Sequence, residues 1–138
     1  MADLVGAVAA LLAADAGIAA IVGARVFGGE LPPGETQHMP RRVIVLKPSG
    51  GFSMTGASYV EADTQRLDLF AYGATVREAS DLCGAAAAVL RRIDRVVSAG
   101  VLIHWAQSAG GFLTGREPVT DWPRAWQSFQ FLHALKEV

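Results

Sequence analysis

Residues 63–93, DTQRLDLFAYGATVREASDLCGAAAAVLRRI, constrain the fold most, because they join a strand, a turn and a capped helix. From Gln65 to Tyr72 the side chains alternate as in a strand with one buried face. One set is aliphatic and predicted to face the core: Leu67, Leu69 and Ala71. The other set is Arg66, Asp68, Phe70 and Tyr72. Its two aromatic side chains are unusual for the surface of a monomer, so we expect another element or another subunit to cover them.

A helix is predicted directly after this strand. Thr75 and Glu78 form a capping box, in which each side chain satisfies a free backbone N–H at the helix start. The apolar residues then follow the spacing of a core-facing stripe: Val76, Ala79, Leu82, Cys83, Ala86, Val89, Leu90, Ile93 and Val97. Arginines near Val97 suit the negative end of a helix, and Gly100 is a natural stop.

The composition predicts a single domain with apolar surface to spare. A chain of 138 residues, 51% of them hydrophobic, can form one good core, so we predict one α+β domain over residues 1–138. Only 18% of the residues are charged, compared with about 25% in an average soluble domain. Oligomerisation would hide the surplus apolar surface. The net charge of -1 argues against a dedicated or sequence-specific nucleic-acid binder.

The single cysteine and the N-terminal run both favour an intracellular protein. Cys83 cannot form an internal disulfide, and its place on the helical stripe predicts a small buried hydrophobe. The apolar run from Leu4 to Leu12 has no positive charge before it, carries Asp3 instead, and is too short to span a membrane. We therefore predict a helix capped by Asp3 and no membrane partner. Its apolar face is Leu4, Val5, Val8, Leu11 and Leu12.

The next segments are short. Ala16 to Ile21 predicts a second helical turn that ends at Gly23, and Arg25 to Phe27 predicts a brief extended piece. Leu31 to Pro40 contains three prolines and a glycine, so we predict a surface loop without regular structure.

Three further strands are predicted around the central strand and helix. Arg42 to Lys47 is a short apolar run bounded by prolines and should pair with Gln65 to Tyr72. Val101 to Ser108 and Trp126 to Leu135 alternate as strands do. The predicted order is an N-terminal helix followed by β-β-α-β-β, with a mostly antiparallel sheet and helices packed on one face.

Two glycine-rich connections interrupt this order. Ser49 to Ala62 is long for a hairpin and rich in Gly, Ser and Thr, so we predict a flexible projecting loop over residues 49–62. Ala109 to Gly115 is a second such connection. Both resemble phosphate-binding loops in their glycine content. However, neither carries a following Lys-Ser/Thr pair or leads into a helix, which favours plain loops.

No combination of titratable residues predicts catalysis or metal binding. His38, His104 and His133 lie on three different predicted elements without companions at ligand spacing. A nucleophilic Cys83 would need an exposed, electropositive position, which a core-facing helix stripe does not provide. We therefore predict no catalytic residue, no metal site and no cofactor.

Paired carboxylates and clustered aromatics also have simpler explanations. Asp63 with Asp68 is one candidate acid–base pair, and Glu117 with Asp121 is another. Charges at strand ends and in loops are usually solvated. The aromatic group is Trp105, Trp122, Trp126, Phe129 and Phe131. We interpret it as core and subunit interface, because no Lys or Arg alternates with it as a base-stacking platform requires.

The order of features along nearly the whole chain resembles the tail terminator or tail completion proteins of long-tailed bacteriophages and prophage-like elements. The resemblance rests on these strings and their spacing: the N-terminal apolar helix, Ala19-Ala20-Ile21-Val22-Gly23-Ala24-Arg25-Val26-Phe27, Leu31-Pro32, an extended strand, a Gly/Ser loop ending in Tyr59, Arg66-Leu67-Asp68-Leu69, the helix start at Ala74 to Ala79, and Trp122-Pro123 before an aromatic strand.

The resemblance implies a structural virion protein and no catalysis. Such proteins form a ring, commonly a hexamer, that caps the finished tail tube, stops its polymerisation and presents a surface for head attachment. The implied partners are further copies of this chain, the tail tube protein and a head connector or stopper protein. The implied location is the host cytoplasm during assembly and then the head-proximal end of the tail.

Two sets of residues are candidate contacts. Phe52, Met54 and Tyr59, in the loop from Ser49 to Ala62, are predicted to anchor the tube or the connector. Phe70, Tyr72 and Trp126 are the predicted subunit contacts.

Two alternative functions stay open. One is a different head–tail connector or stopper component, and the other is a small α+β enzyme or ligand-binding protein with a pocket of perturbed titratable groups.

Overall fold

The structure is a computed structural model and describes residues 3–50 and 62–136. It confirms the α+β class. The elements in chain order are α1 (Leu4–Ala14), α2 (Ala16–Val22), β1 (Val26–Gly28), α3 (Pro33–Thr36), β2 (Val43–Gly50), β3 (Ala62–Tyr72), α4 (Val76–Arg91), β4 (Asp94–Ser98), β5 (Val101–Ser108), β6 (Leu113–Arg116) and β7 (Pro123–Ala134).

The strands form one mixed sheet in the order β1-β2-β3-β7-β5-β4. β1 is parallel to β2, and the other pairs are antiparallel, as predicted. β7 pairs with β3 along its length, from Tyr72 opposite Arg124 to Ala62 opposite Ala134. Its other edge is divided, because β6 pairs with residues 123–126 and β5 with residues 129–133. β7 therefore joins the two halves of the sheet.

The main core lies between the sheet and helices α1, α2 and α4. All three helices begin at a residue whose side chain accepts a hydrogen bond from the first turn: Asp3, Asp15 and Thr75. The predicted core face of β3 is confirmed. Residues of this cluster that are at most 2% exposed include Leu4, Val8, Leu12, Ile44, Leu67, Leu69, Leu82, Cys83, Leu90, Phe129 and Phe131. The Asp3 and Thr75 caps confirm the two helix starts predicted from the sequence.

A second, smaller cluster covers part of the opposite sheet face. Val43, Val45 and Tyr72 are buried there, and Leu31 and Met39 pack against them. Leu31 and Met39 belong to the segment between β1 and β2. The prediction that Leu31 to Pro40 lacks regular structure was wrong, because it contains the one-turn helix α3. Pro33 suits the first position of a helix, where no backbone N–H is needed.

The helix predicted to extend to Val97 ends earlier, at Arg91. Residues Asp94–Ser98 instead form β4, which pairs with β5. The two strands are joined by Ala99 and Gly100, whose φ angles are 48° and 81°. Two positive φ angles are typical of the tight turns that connect antiparallel strands. The β-branched Val96 and Val97 fit a strand better than a helix, so Gly100 completes a hairpin and does not stop the helix.

The second glycine-rich connection also contains more structure than predicted. Leu113–Arg116 forms β6, and all four of its residues are exposed. The prediction of β-β-α-β-β therefore missed three short strands, β1, β4 and β6, although it had placed an extended piece at β1. Among the described residues, no single helix has the length and apolar character of a membrane span, and α1 and α2 meet that test only together, as a pair bent by 87°.

Candidate interaction surface

An aromatic pair lies on the sheet face opposite the main helices. Phe70 on β3 and Trp126 on β7 are directly opposite in register, with ring centroids 6.0 Å apart. The Nζ atom of Lys47 lies 5.5 Å from the Phe70 centroid, and the guanidinium carbon of Arg124 lies 5.2 Å from it. Both cations are within the range of a cation–π contact. The half-buried Phe70 ring is therefore flanked by one aromatic ring and two cations.

This geometry corrects the interpretation that no cation accompanies the aromatic residues. Arg124 is two residues before Trp126, so the two share a face of β7. That spacing was visible in the sequence. Lys47 comes from β2, opposite Asp68, and only the strand pairing brings it to Phe70. The candidate contacts Phe70 and Trp126 are thus brought together in a mixed cationic and aromatic patch.

Tyr72 occupies a different environment. It is only 7% exposed and belongs to the smaller cluster. Trp122 lies edge-on to its ring at 6.1 Å between centroids. Burial raises the pKa of the Tyr72 hydroxyl, and this effect exceeds the opposing influence of Arg124. A direct contact with another subunit would therefore involve Phe70 and Trp126 more than Tyr72.

The candidate carboxylates are held by neighbouring groups. Asp68 accepts a hydrogen bond from the Ser128 hydroxyl on β7. Asp63 accepts one from the backbone N–H of Thr64 at 2.7 Å. These contacts give the two carboxylates structural roles within the sheet.

Glu117 organises the turn between β6 and β7. Its carboxylate accepts hydrogen bonds from the backbone N–H groups of Val119 and Thr120, both at 3.2 Å, and from the Thr120 hydroxyl. The turn is closed by a bond of 2.9 Å from the Glu117 N–H to the Trp122 carbonyl. Hydrogen bonds from the Thr120 hydroxyl and from the Val119 N–H lower the pKa of Glu117. The turn is therefore fixed by its own side chains.

This turn and its strand expose apolar side chains. Val119 in the turn is 90% exposed, and Leu113 on β6 is 52% exposed. Phe112, directly before β6, is also exposed. Leu113 on β6 is opposite Trp126 on β7, so β6 lies directly beside the aromatic patch. We call residues 117–121 the hairpin tip. No local pattern in the sequence indicates which side chains this turn exposes.

An apolar groove lies elsewhere on the subunit, between α1, the end of α4 and the edge strand β4. Its volume is about 460 Å³. Leu11 and Val89 line it from the helices, and Val97, which is 54% exposed, lines it from β4. The charged residues at its margin include Arg92 and Asp15, and a guanidinium nitrogen of Arg92 lies 3.9 Å from a carboxylate oxygen of Asp15. Leu11, predicted to lie on the apolar face of the first helix, thus contributes to an open surface.

Cys83 is fully buried, which confirms the prediction for this residue. Burial raises the pKa of its thiol to about 12, and this effect exceeds the opposing influence of Arg91. The ring Nδ1 of His133 lies 2.9 Å from the carbonyl oxygen of Ala134. Within residues 3–50 and 62–136, no group of three His, Cys, Asp or Glu side chains could hold a metal ion.

The predicted loop over residues 49–62 is only partly described. β2 continues to Gly50 and β3 begins at Ala62. The candidate anchors Phe52, Met54 and Tyr59 lie outside the described residues.

Comparison with known proteins identifies the family. The family model of tail completion protein gp17 matches residues 6–134. A chain in the solved structure of the virion of a native gene transfer agent particle has a TM-score of 0.70 and 19% identity, with 95% of this chain and 94% of that chain covered. At this identity the likeness shows a shared fold. Curated proteins gave no significant match. Because the family model covers nearly all of the sequence, this chain belongs to the tail completion protein gp17 family.

Proposed function

We propose that this protein is a tail terminator: a ring of identical subunits, six in the simplest case, that caps the tail tube, stops its polymerisation and offers a surface for head attachment. The observation that carries the proposal is the family match over residues 6–134, which includes every strand and nearly every helical residue of the fold. A tail completion protein acts where the tail is finished, and a terminator is the most direct form of that role.

The surface of the subunit supports assembly with other copies. The subunit surface carries a cationic and aromatic patch, an exposed hairpin tip and an apolar groove. Exposed apolar patches bordered by charges are typical of protein–protein interfaces. Two different complementary surfaces on one subunit can build a closed ring.

We assign two sets of contacts to this role. Phe70 and Trp126 are proposed to meet a neighbouring subunit, while Tyr72 supports them from the smaller cluster. Phe52, Met54 and Tyr59 are proposed to anchor the tail tube or the head connector. Aromatic residues and methionine are enriched in the centres of such interfaces.

Electron microscopy of the purified protein, alone and mixed with tail tubes of the same particle, tests the proposal. We expect rings with a central hole, and tubes whose growing end is capped and no longer elongates. A strict monomer that neither forms rings nor binds tube ends would contradict the terminator function. Rings that bind the head connector but leave tube ends free would instead support the connector or stopper alternative.

Removal of residues 51–58 tests the loop separately. We expect a subunit with the normal far-ultraviolet circular dichroism spectrum that no longer completes tails. A second variant replaces the three proposed anchors Phe52, Met54 and Tyr59 with serine at unchanged length, and it should also lose tail completion. If the deleted protein does not fold but the serine variant completes tails normally, the loop has a structural role and the proposed anchors are wrong.

A further inference from the structure

We infer that the cationic and aromatic patch around Phe70 and Trp126 binds carboxylate side chains of the next copy of this chain. The inference rests on the proposed function and deepens it, because it names the chemistry by which one subunit of the ring recognises its neighbour. It also gives a role to Arg66, an arginine on the same face of β3.

Arg66 extends the patch along β3. It is four residues before Phe70, so the two side chains share a face of the strand. Its Nε atom is buried and has no hydrogen-bond partner among the described residues. Within residues 3–50 and 62–136, Arg66 also forms no ion pair. A buried charged donor without an acceptor costs free energy, so this guanidinium is suited to an acceptor that arrives with a partner.

The one carboxylate on this face of β3 is already engaged. Asp68 accepts a hydrogen bond from the Ser128 hydroxyl. The guanidinium of Arg66 reaches towards Gly110, on the connection between β5 and β6, where a Cβ atom would lie 3.7 Å from one of its terminal nitrogens. The described part of the subunit therefore leaves the charge of Arg66 without a counterion.

The patch has a surplus of positive charge. Lys47, Arg66 and Arg124 carry one positive charge each and Asp68 carries one negative charge, so the four together carry +2. Because the net charge of the whole chain is -1, the rest of the chain carries -3. The patch stays positive when Glu117, which acts on Arg124 from the hairpin tip, is counted with it. Opposite charges on the patch and on the rest of the chain favour contact between copies.

The side chains of the patch suit carboxylates better than nucleic-acid phosphates. A guanidinium can bind a carboxylate through two parallel hydrogen bonds. The rings of Phe70 and Trp126 add the apolar contact that is typical of protein interfaces. Lys47 and Arg124 already lie against the Phe70 ring, so they lose little freedom on binding. Three cations in a chain of net charge -1 are few for a surface that follows a nucleic-acid backbone.

The charge of the patch favours a ring over a symmetric pair. In a two-fold contact the patch would meet itself, and Arg66 of one copy would approach the same cations of the other. Like charges at an interface are unfavourable. The neighbour must therefore offer a different, negative surface. Contacts between two different surfaces repeat around an axis and close when the rotation allows it.

Carbodiimide cross-linking identifies the carboxylates that meet the patch. This reagent joins a carboxylate directly to a lysine amine, and Lys47 and Lys136 are the only lysines of the chain. In rings assembled from isotopically labelled and unlabelled subunits, we expect mass spectrometry to find Lys47 of one subunit joined to an aspartate or glutamate of another. Lys47→Arg is the matched control. It keeps the charge and removes the amine, so rings should form without this cross-link.

Reversal of single charges measures the contribution of the patch to association. Arg66→Glu and Lys47→Glu should each weaken association at least tenfold in sedimentation experiments. Arg77→Glu makes the same change of charge at an exposed position of α4 and should not weaken it. Lys47 is exposed, so Lys47→Glu provides the measurement even if Arg66→Glu does not fold.

Wild-type rings that remain equally stable in both patch variants, with no Lys47 cross-link between subunits, would overturn the inference and leave the terminator function standing. A Lys47 cross-link that forms only to the tail tube protein would also overturn it. So would binding of a DNA oligonucleotide that is lost in Lys47→Glu while the rings persist. A wild-type protein that is monomeric and does not bind tubes would overturn both the inference and the proposed function.

Discussion

Phe70 and Trp126 are opposite each other on β3 and β7, and their rings stack at a tilt of 33° with centroids 6.0 Å apart. β7 is the strand that joins the two halves of the sheet. The pair therefore stabilises the central strand pairing and also forms the centre of the patch proposed to meet a neighbour. These two contributions can be separated by experiment.

A double-mutant cycle measures the contribution of the aromatic pair within the subunit. Phe70→Leu and Trp126→Leu should each destabilise the dissociated protein, and their effects should be non-additive by about 0.5–1.5 kcal/mol because each change removes the same ring contact. Urea unfolding at low protein concentration gives the four free energies. Phe70→Leu combined with Trp105→Leu on β5 is the control, and strict additivity in the Phe70–Trp126 cycle would contradict the prediction.

The start of α4 depends on the Thr75 cap. Its hydroxyl oxygen accepts a hydrogen bond from the Glu78 N–H at 3.1 Å. Thr75→Ala should lower the free energy of unfolding by about 0.5–2 kcal/mol, because that N–H loses its partner. Thr75→Ser keeps the hydroxyl and should cost much less. Equal losses in the two variants, measured by urea unfolding, would show that the cap contributes nothing.

Two glycines near the same helix should respond in opposite directions to alanine. A Cβ atom at Gly73 would lie 2.7 Å from both the Ala79 nitrogen and the Glu78 Cβ, so Gly73→Ala should destabilise the fold. A Cβ atom at Gly84, exposed within α4, would meet no atom within 4 Å. Gly84→Ala should therefore stabilise the protein by about 0.5–1 kcal/mol. Thermal unfolding of both variants measures the two signs, and a stabilising Gly73→Ala would contradict this close packing.

The parts of the fold that the sequence predicted are those with strong local signals. The Thr75 cap and the alternation around Leu67 and Leu69 each depend on a few neighbouring residues, and both were confirmed. For Glu78, the second residue of the predicted capping box, the structure shows an ion pair with Arg42 at 3.4 Å. The end of α4 was mispredicted, because Val96 and Val97 continue an apolar spacing that also fits a helix. The pairing of β4 with β5 decides this position, and that pairing is a tertiary interaction.

The candidate surface was predictable only in part, for a similar reason. Phe70 and Trp126 were both predicted from the sequence as subunit contacts. Their contact requires the register of β3 against β7, and the cation from Lys47 requires the neighbouring strand β2. The groove is formed by α1, α4 and β4, which are far apart in sequence, so no local pattern could indicate it.

The buried thiol of Cys83 should make stability depend on alkaline pH. Burial raises its pKa from an ordinary value near 9 to about 12, so folding favours the neutral thiol. Its contribution is complete below about pH 9 and is lost as the pH rises towards 12. The wild type should lose about 1 kcal/mol more than Cys83→Ala between pH 8 and pH 10. Urea unfolding at the two pH values provides the measurement.

Thiol labelling gives a second measure of the same residue. In the native protein, a thiol-reactive dye should label Cys83 no faster than the protein unfolds, because the side chain is fully buried. Rapid labelling at neutral pH, or identical pH dependence in the wild type and Cys83→Ala, would show that the thiol is accessible.

The Glu117 carboxylate should make the hairpin tip sensitive to acid. Hydrogen bonds from the Thr120 hydroxyl and the Val119 N–H lower its pKa below the ordinary value of 4.5, so the tip is stabilised by the charged form. This stabilisation is complete above about pH 4.5 and is lost as the pH falls through the lower pKa of the folded state. Amide resonances of Val119 and Thr120 should therefore shift only below pH 4.5, while the circular dichroism of the sheet stays constant.

The control for this prediction is Glu117→Gln, which removes the charge, so the amide resonances of Val119 and Thr120 should not titrate in this variant. Titration of the two amides above pH 4.5, or unchanged titration in Glu117→Gln, would exclude Glu117 as the group that fixes the turn.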